Sequence, residues 1–174
     1  MKKITAYEIA LSALACALAT VLVTVGVYTE VLLFTGYLFA SVALMLPLAK
    51  RSYIGYILAY VATCVLSLVF TSFRIWDVLP FMLFFGLHPI INEWQLKTKL
   101  NRWIWFVIKA IWFDGAMYFT CAVLFQITTE AAWLEQWLLP IILVAGTAFF
   151  WLIDYMEFRC RALVNMLVKR LSKK

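Results

Sequence analysis

The stretch that decides how this chain is read is "ALSALACALATV", residues 10–21. Alanine occupies positions 10, 13, 15, 17 and 19, and Ser12, Cys16 and Thr20 are small as well. The stretch lies within an apolar segment from Ile9 to Val27, long enough for a membrane-crossing helix. Lipid tails are as apolar as leucine, so helices in a bilayer gain little from burying bulky side chains. Small residues instead let two backbones approach closely. Ala6, Ala10, Ala13 and Ala17 follow a 4-3-4 spacing and form one smooth stripe, and Ala15 and Ala19 form a second small pair beside it. The stripe packs against helices of this chain or is offered to another protein, and spacing alone leaves both open.

Composition sets the class. Of 174 residues, 66% are apolar and 14% are charged, and the mean hydropathy is +0.95. Soluble domains average roughly 45–50% apolar and about 25% charged residues. An all-α integral membrane protein follows. Six hydrophobic segments succeed one another, at 9–27, 31–49, 53–73, 75–91, 103–125 and 137–155. Most reach the ~17–25 residues that cross about 30 Å of hydrocarbon. The fourth contains Asp77, Pro80, His88 and Pro89, which predicts a short, kinked or partly re-entrant helix. The breaks between segments are too small for a folded soluble domain.

Charge orients the six helices. Lys2 and Lys3 precede the first, Lys50 and Arg51 follow the second, and Lys97, Lys99 and Arg102 separate the fourth from the fifth. Arg159, Arg161, Lys169, Arg170, Lys173 and Lys174 follow the sixth. With six crossings these cations share one side, leaving Arg74 opposite and Lys109 within a helix. The positive-inside rule makes that side the cytoplasm, with both termini inside. Trp76, Trp133 and Trp137 would mark the outer interface, and Trp94, Trp103 and Trp105 the inner one.

The expected organisation is a six-helix transmembrane domain over residues 1–158 and a basic amphipathic cytoplasmic tail over 159–174. In the tail, Cys160, Leu163, Val164, Leu167 and Leu171 share one face at helical spacing, and Arg161, Asn165, Lys169 and Ser172 lie on the other. Such a helix rests on the inner leaflet and is attracted to anionic lipid. The net charge of +6 is thereby accounted for by topology and lipid, without a nucleic-acid partner. A signal-peptide reading of the N-terminus fails because the apolar run continues past Ala15 and Ala17 to Val27. The four cysteines show no metal-binding or CxxC spacing and read as small apolar residues.

Ionisable residues inside the hydrocarbon are costly, and function is their default hypothesis. Lys109 and Asp154 lie at similar depth from the cytoplasmic ends of consecutive antiparallel segments, which suits a structural ion pair; snorkelling of Lys109 is the alternative. Asp114 lies near the bilayer centre and is about 140° round the helix from Lys109. It reads as a ligand or ion group, or as a protonated structural carboxyl. Tyr118, one turn outward, would share its cavity. His88 reads as the cap of a proline-loosened helix. No HExxH, glycine-rich phosphate loop or paired acidic metal motif occurs in the sequence. No metal, cofactor or ATP-hydrolysing machinery is therefore expected in this chain, and an enzyme is the weakest reading.

The N-terminal "MKKITAYEIALSALACALATVL" followed by "FTGYLFASVALMLPLAKRSYIGYILAYVATCVL" resembles the substrate-binding S component of energy-coupling factor (ECF) transporters. Pro47 and Gly55, flanking the basic Lys50–Arg51 turn, also fit that family's second and third helices. The resemblance covers roughly the first seventy residues and the overall topology. It implies a multi-pass subunit of the bacterial cytoplasmic membrane that captures a small vitamin-like molecule. It further implies that Ala6, Ala10, Ala13 and Ala17 dock on a coupling transmembrane subunit that sits with two cytoplasmic ATPases. The outward-facing pocket of that family would here contain Arg74, Trp76, Asp77, Asp114, Tyr118, Trp133 and Trp137, with interfacial anchoring as the alternative role of each tryptophan. The competing reading is an accessory or regulatory membrane protein that holds a partner through the same alanines. That reading requires a filled bundle and an internally hydrogen-bonded Asp114.

Overall fold

The computed structural model describes residues 5–128, 137 and 140–171, and every regular element among them is helical. α1 spans Ala6–Thr29, α2 Leu33–Ala49, α3 Tyr53–Phe70, α4 Ile75–Pro80, α5 His88–Lys97, α6 Arg102–Thr128 and α7 Thr147–Leu171. Ala6–Thr29, Tyr53–Phe70, the composite Ile75–Lys97 and Arg102–Ala122 are long and apolar enough to cross a membrane, and α2 is a shorter apolar helix of 17 residues. Exposed apolar side chains stand on α1, α3 and α6: Val21, Leu58, Val65 and Ile111 are between 56% and 68% exposed. The sixth hydrophobic segment lies partly outside the described residues.

α1 begins with a reciprocal cap. Thr5 Oγ1 accepts from the Glu8 amide at 3.3 Å, and the Glu8 carboxylate accepts from the Thr5 amide at 2.8 Å. Along α1 the two alanine sets separate. Ala15 and Ala19 are completely buried, together with Val23 one turn further, while Ala6, Ala10, Ala13 and Ala17 are exposed. α1 packs on α2 and α3, and glycine brings α1 and α2 closest. A Cβ added at Gly36 would lie 2.7 Å from the Leu22 carbonyl oxygen and 3.1 Å from the Gly26 Cα.

The proline-bearing fourth segment forms one run of 23 residues with a defect at its middle. α4 ends at Pro80, residues 81–85 form a π-helical turn, and α5 restarts at His88 with Pro89 in its first turn. Proline cannot donate, and its ring crowds the carbonyl four residues back, so the ladder loosens around both prolines. The Gly86 amide bonds to the Phe81 carbonyl at 2.8 Å, which takes it away from Met82. Tyr60 of α3 donates its hydroxyl to that Met82 carbonyl at 2.7 Å. Tyr56 donates to the Gly86 carbonyl, and Tyr37 of α2 to the Asp77 carbonyl. Phenol groups of neighbouring helices thus supply donors along the irregular segment, the condition for broken helices in apolar surroundings.

Between the helices lies an aromatic core of Tyr37, Tyr56, Phe81, Phe84, Phe85, Phe113 and Phe150. Phe84 is at its centre, meeting Phe113 at 4.8 Å and Phe85 at 5.3 Å, both edge to face.

α7 continues without interruption through residues 158 and 159. Its C-terminal half is not laid apart from the bundle. Val164 and Val168, one helical turn apart, are buried against Leu11 and Met45. Leu163, Leu167 and Leu171, by contrast, are more than half exposed. The apolar stripe of the tail is thus split between helix packing and an outward face. The divide arises because α7 leans on α2.

Candidate functional site

The densest polar cluster is where α2, α5, α6 and α7 meet. His88 and Asn92 are four residues apart on α5, and Asp154 and Glu157 are three apart on α7, so each pair shares a helix face. Lys109 comes from α6 and Ser41 from α2. Glu157, His88, Ser41, Asn92 and Lys109 are each at most 1% exposed.

Glu157 is the hub. One carboxylate oxygen lies 2.7 Å from His88 Nδ1 and accepts from Asn92 Nδ2 at 3.1 Å. The other accepts from the Ser41 hydroxyl at 2.5 Å. Asn92 passes the chain on, its amide oxygen accepting from Lys109 Nζ at 2.9 Å. Lys109 also donates to Asp154, and the same Asp154 oxygen lies 3.2 Å from His88 Nε2. The walls are aromatic: Phe84 stacks on the imidazole at 4.9 Å, and Phe158 lies 5.2 Å beneath the Lys109 ammonium. One turn further along α7, Arg161 donates to Glu93 of α5 at 2.5 Å.

Charges in such a site persist because each is paired and hydrogen-bonded. The cluster brings one imidazole, one amine and two carboxylates together and links four helices. His88 is not a helix cap: α5 starts at His88 with no side-chain cap, and the imidazole faces two carboxylates. The proline explains the helix break, but the ring's own role is set by α7. The sequence does not single out Glu157, because it follows the end of the last apolar segment. The Asp154, Glu157 and Arg161 spacing along one face was its available signal.

The residues assigned to an outer pocket are distributed differently. Arg74 and Asp77 form a half-exposed pair at 3.8 Å, with the guanidinium 5.8 Å over the Tyr28 ring, and Trp76 between them is 39% exposed. Asp114 is 8% exposed and faces α7, where Thr147 Oγ1 donates to it at 2.8 Å. Its second oxygen is buried and has no hydrogen-bond partner among the described residues. Tyr118, one turn further along α6, is 43% exposed. Trp137 is 56% exposed, and Trp133 lies outside the described residues. Among the described residues, no hydrogen bond or ion pair joins Asp114 to Arg74, Trp76 or Asp77. His88 and Asp154 converge, whereas Asp114 belongs to a separate contact.

No protein-family model, no curated protein and no solved structure matches this chain.

Proposed function

We propose that this chain is a docking subunit of a membrane transport complex, held to a larger membrane partner through the outward alanine face of α1. The observation carrying this reading is the division of alanines on one helix. Ala15 and Ala19 are consumed by internal packing, while Ala6, Ala10, Ala13 and Ala17 remain exposed along the opposite side. An outward face of small residues offers close backbone approach to a second helix and little else.

In the finer reading the partner is the coupling subunit of an ECF-type importer, assembled with two cytoplasmic ATPases. The chain then crosses the bacterial cytoplasmic membrane six times with both termini inside, and captures a small vitamin-like molecule from the outer side. The Asp114 oxygen that has no donor among the described residues supports a ligand on that side, since a buried acceptor without a donor costs about 1–3 kcal/mol. A second reading, an accessory subunit that carries no substrate, is favoured by the aromatic filling of the bundle and the Asp114–Thr147 hydrogen bond.

One preparation tests both. The tagged chain is purified from its native membrane in mild detergent, and proteins and extracted metabolites are identified by mass spectrometry. A coupling membrane protein with two ATPases and a retained metabolite supports the importer. A different membrane protein without a metabolite supports the accessory subunit. Recovery of the chain alone contradicts both.

A further inference from the structure

Two clefts run along the seam between α5 and α7 and meet at Leu96. The first, of about 560 Å³, is lined by Lys50 and Arg51 from the end of α2, Lys97 of α5, and Arg161 and Lys169 of α7. Glu93 is the one carboxylate among its lining residues, and Arg161 already takes it. The cations come from three helices and are held in place. Lys97 lies 4.1 Å over the Tyr53 ring and Lys50 lies 5.4 Å over the Tyr7 ring. Arg161 is paired with Glu93, and Arg51, Lys97 and Lys169 add like charges to the same concave surface, which attracts an anion.

The second cleft, of about 520 Å³, has a different lining. Leu96, Leu100, Tyr155 and Phe158 line it together with Gln95, Arg102 and Arg159. On α7 the apolar lining, Tyr155 and Phe158, precedes the basic lining, Arg161 to Lys169. A cleft walled by apolar side chains and adjoining a cationic cup at Leu96 matches the two parts of an anionic phospholipid. A soluble phosphate would use the cup and leave the apolar-walled cleft empty.

We propose that this seam is a binding site for one anionic glycerophospholipid, with the headgroup phosphate among Arg51, Lys97, Arg161 and Lys169 and an acyl chain against Leu96, Leu100 and Phe158. Basic pockets between helices bind such headgroups, whereas a charged surface alone attracts lipid without fixing it. The site is independent of what docks on α1.

The test uses the full chain, purified in detergent and stripped of lipid. Phosphatidylglycerol, phosphatidylcholine or glycerol phosphate is then added, and the bound mass is read by native mass spectrometry. The proposal expects one retained phosphatidylglycerol, no comparable retention of phosphatidylcholine, and no displacement by glycerol phosphate. Lys97→Glu with Lys169→Glu should weaken retention about tenfold or more. Lys99→Glu with Arg170→Glu makes the same change in net charge outside the cleft and should leave retention unchanged. Equal losses in the two pairs would reduce the site to diffuse attraction. Displacement by glycerol phosphate would make it a site for a soluble phosphate, and absence of retained lipid would remove it. Circular dichroism and gel filtration establish that each variant is folded. Should Lys97→Glu not fold, Lys169→Glu against Arg170→Glu decides alone, since both residues are exposed on α7.

Discussion

Glu157 of α7 and His88 of α5, 69 positions apart in sequence, meet at 2.7 Å with neither side chain exposed to solvent. This contact closes a buried network that also takes in Ser41, Asn92, Lys109 and Asp154. Glu157→Ala leaves the Ser41 hydroxyl, the Asn92 amide and the imidazole without their acceptor. A loss of about 3–5 kcal/mol of stability is expected. Glu157→Gln keeps an acceptor oxygen and the shape of the side chain and should lose less. Thermal unfolding of the two variants in detergent, followed by circular dichroism, checks the order.

The Lys109–Asp154 contact predicts strong non-additivity. Lys109→Met alone strands a carboxylate, and Asp154→Leu alone strands an ammonium, each at a cost of about 3–5 kcal/mol. The double variant removes both charges and should be more stable than either single one. A double-mutant cycle on unfolding free energies is then expected to give a coupling of about 3 kcal/mol or more. Additive losses would mean that the two residues act separately.

Parts of this arrangement are legible in the sequence and parts are not. Thr5-Ala-Tyr-Glu8 carries the capping-box pattern on its face, and Lys109 and Asp154 can be placed at similar depth by counting residues from one interface. Depth does not give rotation. Periodicity groups Ala15 with Ala19 and Ala6 with Ala10, Ala13 and Ala17, yet which group turns inward depends on where α2 and α3 lie. Glu157 escapes for a related reason. A charged residue beyond an apolar segment reads as solvated unless the helix is known to continue, packed, through Val164 and Val168. The tyrosine donors to the α4–α5 break are equally hidden, because the carbonyls they meet come from a segment up to 40 residues away.

Glycine positions separate close packing from open space. A Cβ at Gly36 would press on the Leu22 carbonyl at 2.7 Å, and backbone cannot give way cheaply. Gly36→Ala is expected to destabilise the chain by about 1–3 kcal/mol. A Cβ at Gly115 meets nothing within 4 Å among the described residues. Gly115→Ala should be neutral or stabilising by up to about 1 kcal/mol, the difference in helix propensity. Melting temperatures of the two variants, measured side by side, test the contrast.

Tyr60 should report on the irregular segment. Tyr60→Phe keeps the ring that lies against Gly86 and removes the donor to Met82. A loss of about 0.5–1.5 kcal/mol is expected, accompanied by faster amide exchange near residues 81–87. Unchanged exchange there would show that the hydroxyl contributes nothing to holding the break.

The alanine face of α1 bears most directly on what the chain does. The decisive measurement is photo-crosslinking in the native membrane, with a photoreactive residue placed singly at Ala13 or Ala17 and, as controls, at Leu58 or Val65 on the outward face of α3. The docking account predicts adducts to one membrane protein from Ala13 and Ala17 and none to it from the α3 positions. Adducts of equal yield from both helices, or crosslinks to lipid alone at all four positions, would contradict it.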